Sequence, residues 1–393
     1  MNGGSFKPRM KIVIAPQEFK ESLRGVEIAQ AMEEGVLRVW PDAETLLVPV
    51  ADGGDGTLQS LVDASDGELM TATVDDPLGR PIEAVWGALG DGRTAVIEMA
   101  RSSGLTLLDP DERDPLITTT YGVGQLMSLA LDAGYRHLII GIGGSATNDG
   151  GAGMAQALGA NLLDADGNEL ARGGGALANL SEINVSGLDP RLANTKIDVA
   201  CDVNNPLCGE TGASAIFGPQ KGADVETVAY LDNALLRYGN LLQRDLGRDV
   251  MEVPGAGAAG GLGAGLMAFT DAQLRPGADI VIDALNLDAR LEGASLVIVG
   301  EGQTDRSTVF NKAPVAVAQR ARALAIPTIA ISGSLGDGYE LVHEHGIDAA
   351  FSILDCCMTL EAAMSETAEL VTKATEQACR ALSVNVRAQH MPA

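Results

Sequence analysis

Aromatic side chains are scarce in this chain, at 3% of 393 residues, with tryptophan only at Trp40 and Trp86. Stacking platforms for a single-stranded nucleic acid are therefore not available in number, and aliphatic packing has to carry the core. Cations are also few, with 27 Lys and Arg against 53 Asp and Glu and a net charge of −26. A field of that sign repels nucleic acid and anionic membranes. An anionic ligand then has to be held by local cations, helix N-termini or a metal. The five cysteines, Cys201, Cys208, Cys356, Cys357 and Cys379, form no even framework and suit a reducing cytoplasm. The four histidines, His137, His343, His345 and His390, are too scattered for a zinc site, so the expected metal is a hard one on carboxylates. No run of about 18 apolar residues is present. Asn2 to Arg9 is polar, so no secretory signal is expected and this leader reads as a short disordered tail. The pattern G-x-x-x-x-G-K-[ST] does not occur, which excludes a P-loop enzyme.

What the chain has is glycine, 48 residues of it, and a 46% hydrophobic content, enough for a large core and more than one domain. The most informative stretch is Gly141-Ile142-Gly143-Gly144-Ser145-Ala146-Thr147-Asn148-Asp149-Gly150-Gly151-Ala152-Gly153, after the apolar run Leu138 to Ile140 and before an Ala-rich helical segment. A buried strand ends, glycines allow a sharp turn, and N–H groups opening the next helix can face a phosphate or carboxylate. Ser145, Thr147, Asn148 and Asp149 add side chains for a hydroxyl or a hydrated metal. The alternative is a plain Gly-rich connection in which Asn or Asp caps the helix.

Strands and helices alternate at both ends of the chain. Lys11 to Ala15 reads as a strand, Ser22 to Trp40 as a helix, Thr45 to Val50 as a strand and Thr57 to Ala64 as a short helix. Toward the C-terminus, Ser295 to Val299, Pro327 to Ile331 and Ala349 to Leu354 read as strands. Ala313 to Ala325 and Thr359 to Leu382 read as helices. This rhythm implies a parallel sheet covered on both faces. The middle differs: Ile82 to Leu89 and Arg93 to Met99 flank Gly90-Asp91-Gly92, a hairpin signal, and Asn161 to Asp164 and Lys196 to Val203 are further strand candidates. The expected architecture is two α/β domains. A Rossmann-like parallel-sheet domain, residues 1–73 and 283–393, is interrupted by an inserted α/β domain with a mixed sheet, residues 74–282, and the default site is the cleft between them.

Four groups of residues could carry chemistry. Asp52 and Asp55 lie on a Gly-rich loop at a strand end, where metal ligands and general bases are placed; a solvated turn with Asp55 as helix cap is the alternative. Glu301 and Asp305 follow another strand, with Lys312 seven residues beyond, a set suited to phosphate and metal, against a surface ion pair as the plainer account. Lysine at a helix start opposes the helix dipole, which favours function there. Lys20 is a cation before the first helix, with Ser22 as the expected cap. Arg80 and Lys221 are weaker candidates on loops of the inserted domain. Two dinucleotide-like matches, Gly141 to Ala146 and Gly255 to Gly260, are cheap in a glycine-rich chain and lack the strand-end acid.

Taken together, Val48 to Gly54, Gly141 to Gly153, Ala200-Cys201-Asp202-Val203-Asn204-Asn205-Pro206-Leu207, Phe217 to Gly222, Pro254 to Gly261 and Gly300-Glu301-Gly302 resemble the bacterial glycerate kinase family, of the glyoxylate- and glucarate-pathway type. The resemblance spans about Lys11 to Ser383. It implies ATP- and magnesium-dependent phosphorylation of D-glycerate at the 2-hydroxyl by a cytoplasmic enzyme, and leaves a homo-oligomer open. By analogy with phosphoryl transfer generally, Asp52 or Asp202 would accept the hydroxyl proton or hold magnesium, with Asp55, Glu301 and Asp305 as other metal candidates. Lys20 and Lys312 would neutralise phosphate and substrate carboxylate, and the loop containing Gly143, Gly144 and Ser145 would cradle an anionic end. The chain departs from the family pattern at Gln17 and Glu18, at Gln303 and at Asn311. Those changes bear on affinity or substrate preference more than on reaction class. Two other readings compete: an NAD-dependent hydroxyacid oxidoreductase, and a non-catalytic metabolite sensor that keeps the binding loops.

Overall fold

A computed structural model describes residues 10–54, 56–310 and 312–388; the polar leader, Asp55 and Asn311 lie outside the described residues. The chain divides into two compact units, Met1–Asp52 with Val281–Ala393, and Gly53–Ile280.

The first unit holds a five-stranded sheet in the spatial order Ala349–Ser352, Thr328–Ser332, Leu296–Gly300, Lys11–Pro16, Glu44–Leu47, with every pair parallel. Ile12 to Ile14 and Val297 to Val299 are fully buried, as continuous apolar strands in a parallel sheet must be when both faces are covered. After Lys11–Pro16 the chain builds the neighbour on one side and then crosses to the other, so the topological switch lies between Lys11–Pro16 and Leu296–Gly300. Hydrogen bonds from Val48 N to Ile14 O and from Val50 N to Pro16 O carry the edge strand onward to Asp52. The helix Gly25–Val39 buries Ile28, Ala29, Met32 and Val36 at helical spacing. A Cβ at Gly35 would lie 2.6 Å from Thr372 O, so glycine is what lets the helix Thr367–Ala388 pack this closely. The long C-terminal helix expected from sequence is two helices, Leu360–Ser365 and Thr367–Ala388, separated at Glu366.

The second unit carries a six-stranded sheet in the order Gln273–Arg275, Lys196–Ala200, His137–Gly141, Thr94–Glu98, Pro81–Ala88, Glu68–Asp75. The first four strands run parallel and the last two pairings are antiparallel, which makes the sheet mixed. Asp91 Oδ1 accepts from Arg93 N and Thr94 N, and Gly92 takes φ +66°, which closes the hairpin the sequence announces. Glu68–Asp75, which sequence reading missed, pairs with Pro81–Ala88 over its whole length. The first boundary therefore falls after Asp52 rather than near Thr73. The helix Thr57–Ala64 packs on this antiparallel pair so closely that a Cβ at Gly87 would meet Leu58 at 2.6 Å and Val62 at 2.7 Å.

Asp198, buried in the central strand Lys196–Ala200, meets His137 Nε2 at 2.8 Å and Lys196 Nζ at 2.5 Å. Burial opposes its ionisation, but these partners outweigh burial and hold the carboxyl down at about 2. A carboxyl whose folded value lies below its unfolded one stabilises above the unfolded value and stops doing so as pH falls through the folded one. The stability gap between wild type and Asp198→Asn should therefore be full at pH 6 and shrink between about pH 4 and 2. Urea unfolding at several pH values measures it, and a constant gap would contradict the pairing.

Candidate active site

In the second unit, the strand His137–Gly141 runs into a loop that reaches the helix Ala152–Ala157 only ten residues later. The loop is clamped by backbone: Leu105 N donates to Gly144 O, Ala146 N to Ser103 O and Gly150 N to Gly260 O, each at 2.9 Å. Gly143, Gly144 and Ser145 face a cavity of about 330 Å³, together with Asp202, Gln220 and Ala259. Gly144 needs glycine for its φ of +70°. Gly143 does not: its φ is not left-handed, and a Cβ there would meet nothing within 4 Å. The fold gives no reason for a bare backbone at Gly143, whereas a ligand approaching from the cavity would. Asp202 stands at the rim just beyond the strand Lys196–Ala200, and its Oδ1 accepts from Gly277 N at 3.0 Å.

The polar residues that follow in the loop turn inward. Thr147, Asn148 and Asp149 are fully buried. Asp149 accepts from Thr120 N, Thr120 Oγ1, Thr119 Oγ1, Gly151 N and Gly153 N, so it closes the turn that leads into the helix. Asn148 Nδ2 donates to Ser214 Oγ at 2.9 Å. Lys221 is equally buried and donates from Nζ to Thr147 O at 2.6 Å. The structure places Thr147, Asn148, Asp149 and Lys221 in the interior, behind the residues that line the cavity, rather than on its surface. Three successive left-handed residues, Ala259, Gly260 and Gly261, back this arrangement, and a Cβ at Gly260 would lie 1.9 Å from Thr147 O. Arg80 is turned to other work, pairing with Asp76 and with Glu112, each at 2.6 Å, outside the cavity.

Burial pushes the Lys221 ammonium down to about 7, with Asp149 acting in the opposite sense. Because the unfolded lysine holds its proton to higher pH, wild-type stability relative to Lys221→Met should rise between about pH 7 and 10 and run flat below 7. Chemical unfolding across that range checks this. A pH-independent difference would contradict the burial of the head group.

In the first unit, residues after strand ends surround a second cavity, of about 440 Å³, bordered by Phe19, Lys20, Gly302, Gly333 and Ser334. Lys20 lies in a tight turn in which Ser22 N and Leu23 N both donate to Phe19 O, and Glu21 takes φ +62°. The helix begins at Gly25 with Arg24 as cap, so Lys20 is not at a helix N-terminus. Ser22 bonds Thr367 Oγ1 rather than capping. Glu301, directly after Leu296–Gly300, is buried; its Oε1 accepts from Thr304 and Thr308 hydroxyls at 3.1 and 2.7 Å, and its Oε2 meets Lys312 Nζ at 3.2 Å. Burial pushes this carboxyl up, against the lowering by Thr308, Lys312 and Thr304. Lys312 caps the helix Ala313–Ala323, so a cation and a helix N-terminus coincide. Asp305 accepts from Ser307 N and Oγ and caps the turn Arg306–Val309, which accounts for it without a metal.

Among the described residues no three His, Cys, Asp or Glu side chains gather into a metal cage. The donor set instead suits a magnesium ion carried on phosphates, which needs only one or two protein carboxylates. Of the acidic candidates, Glu301 is engaged by Lys312 and Asp305 by its turn; Asp52 and Asp202 stand at strand ends. Asp55 lies outside the described residues. The dinucleotide alternative loses its geometry, because its glycines must open the helix directly. Here the helix starts at Ala152, and Gly255 to Gly260 follows no strand.

The model of the glycerate kinase family matches residues 12–383. A glycerate kinase from Halalkalibacterium halodurans is 52% identical over 373 residues, covering 95% of this chain and 97% of that one. The glycerate 2-kinase of Escherichia coli K12 is 51% identical over 378 residues, covering 96% and 99%. A crystal structure assigned to glycerate kinase 2 from Salmonella typhimurium LT2 superposes with a TM-score of 0.90 at 51% identity, covering 96% of this chain and 100% of that one. With a match that runs from the first strand into the last helix and takes in the glycine loop, Asp202 and the Glu301–Lys312 pair, this chain belongs to the glycerate kinase family, enzymes that phosphorylate glycerate.

Proposed function

We propose that the protein transfers the γ-phosphoryl group of ATP, with magnesium, to the 2-hydroxyl of D-glycerate, giving 2-phospho-D-glycerate and ADP. The observation that carries this reading is the cavity of the second unit, where the glycine loop and Asp202 meet. Its bare Gly143 backbone suits a small carboxylate, and Asp202 on its rim suits a hydroxyl proton. The 51% identity to a glycerate 2-kinase supports the choice of hydroxyl.

The glycine loop binds the glycerate carboxylate through backbone N–H groups and excludes larger acids by its clamped walls. Asp202 accepts the proton as the 2-oxygen forms its bond to the γ-phosphorus and the bond from phosphorus to the β,γ-bridging oxygen breaks toward ADP. Gly277 N fixes one oxygen of Asp202, which orients the carboxylate. Lys312 and Lys20 offset charge on the transferred group and the leaving phosphate. Asp52 would hold the magnesium, which when bound neutralises phosphate charge. The free cysteines among the described residues, Cys201, Cys208, Cys356, Cys357 and Cys379, suit work in a reducing cytoplasm. ADP release measured with D-glycerate, with L-glycerate and with no acceptor tests the reading. Release should depend on D-glycerate and stop with a chelator; acceptor-independent or chelator-insensitive release would overturn it.

A further inference from the structure

The second cavity, in the first unit, is lined like the other mostly by apolar surface, but by larger side chains. It lies beyond the C-terminal ends of Lys11–Pro16, Leu296–Gly300, Thr328–Ser332 and Ala349–Ser352, and so takes in the topological switch. Open α/β sheets bind ligands at that place. Its wall is mostly apolar, from Phe19, Leu354, Met358, Leu360 and Met364. Leu360 is 77% exposed and Leu354 44% exposed, an arrangement with no packing benefit in the fold itself. Gly302 also lines it, although its φ is not left-handed and a Cβ there would touch Phe19 Cα and Lys20 N only at ordinary distances of 3.8 and 3.9 Å. As at Gly143, the fold itself does not require the bare backbone. The volume, about 440 Å³, is within the range of small-molecule sites. Lys20 supplies a cation at the border, and the hydroxyls of Ser22 and Ser334 supply a few polar contacts.

We propose that this cavity seats the purine base of the nucleotide donor, with Phe19, Leu354, Met358, Leu360 and Met364 as the apolar wall and Gly302 as the bare floor that lets the ring approach. The assignment rests on the reading of ATP as donor. The side chains of this wall, Phe19, Leu354, Met358, Leu360 and Met364, offer a broad apolar face of the size a purine ring covers, with Lys20 at the border for the phosphates.

Hydrogen exchange of the full-length protein tests the site with ADP, inorganic tripolyphosphate and D-glycerate as separate probes. ADP should slow exchange in residues 353–367, and tripolyphosphate, which has no base, should leave that segment unchanged. The double variant Leu354→Ser/Leu360→Ser, at two exposed positions, should raise KM for ATP about tenfold and leave KM for D-glycerate within twofold. Turnover with ATP but no ADP-specific protection of 353–367 would overturn the base site alone. Absence of both ATP-dependent turnover and ADP protection would overturn the donor reading and the base site with it. A variant that raises KM for glycerate instead would assign the cavity to the acceptor and also overturn the proposal.

Discussion

Asp202→Asn should lower kcat by about 10²- to 10⁴-fold, the range of a positioned general base. KM for D-glycerate should change by less than about threefold, because the proposal assigns carboxylate binding to the glycine loop. The substitution keeps an oxygen to accept from Gly277 N, and Asp202 is exposed, so the thermal midpoint should stay within about 2 °C of wild type. Turnover within fivefold of wild type would remove Asp202 from the chemistry and hand the proton to Asp52.

Lys312→Ala should lower kcat by about 10²-fold, the effect of removing one preorganised charge from the transferring group. This variant also leaves Glu301 buried beside only Thr304 and Thr308, and an under-satisfied buried carboxylate costs about 1–3 kcal/mol. Stability and rate therefore have to be separated. Lys312→Met with Glu301→Gln removes the buried charge together with its partner and should recover most of the lost stability, while turnover stays low. Lys312→Arg should keep the fold but recover little rate, since a planar guanidinium does not reproduce an ammonium point charge at the same place. If the double variant regained both stability and rate, the pair would be structural and the phosphoryl charge would have to be met elsewhere.

The architecture was legible wherever one period dominates the sequence. Apolar runs such as Ile12 to Ile14 and Val297 to Val299 can only be buried strands of a parallel sheet, and the helix Thr57–Ala64 matches its expected range. The strand Glu68–Asp75 lies at a sheet edge, and although Met70 to Asp75 alternates apolar with polar residues, only Val74 is fully buried, so its apolar side is weak. The split at Glu366 was hidden because helical periodicity continues across it; only the cap geometry marks the break.

The site was legible as a set of loops but not as a set of side-chain directions. Ser145 faces the cavity and Thr147 two positions on is fully buried, because the loop's own hydrogen bonds turn the chain inward there. The burial of Lys221 depends on a carbonyl 74 residues away in sequence, that of Thr147, and local pattern cannot show such a partner. The apolar wall around Phe19 and Leu360 is assembled from segments at opposite ends of the chain.

The central claim is phosphoryl transfer to the 2-oxygen of D-glycerate, and phosphorus NMR of the purified protein with ATP, magnesium and D-glycerate tests it most directly. The account predicts that a 2-phosphoglycerate resonance grows in step with ADP, and that L-glycerate gives none. A 3-phosphoglycerate resonance would contradict the placement of the 2-hydroxyl against Asp202. ATP left intact beside folded protein would contradict the kinase reading itself.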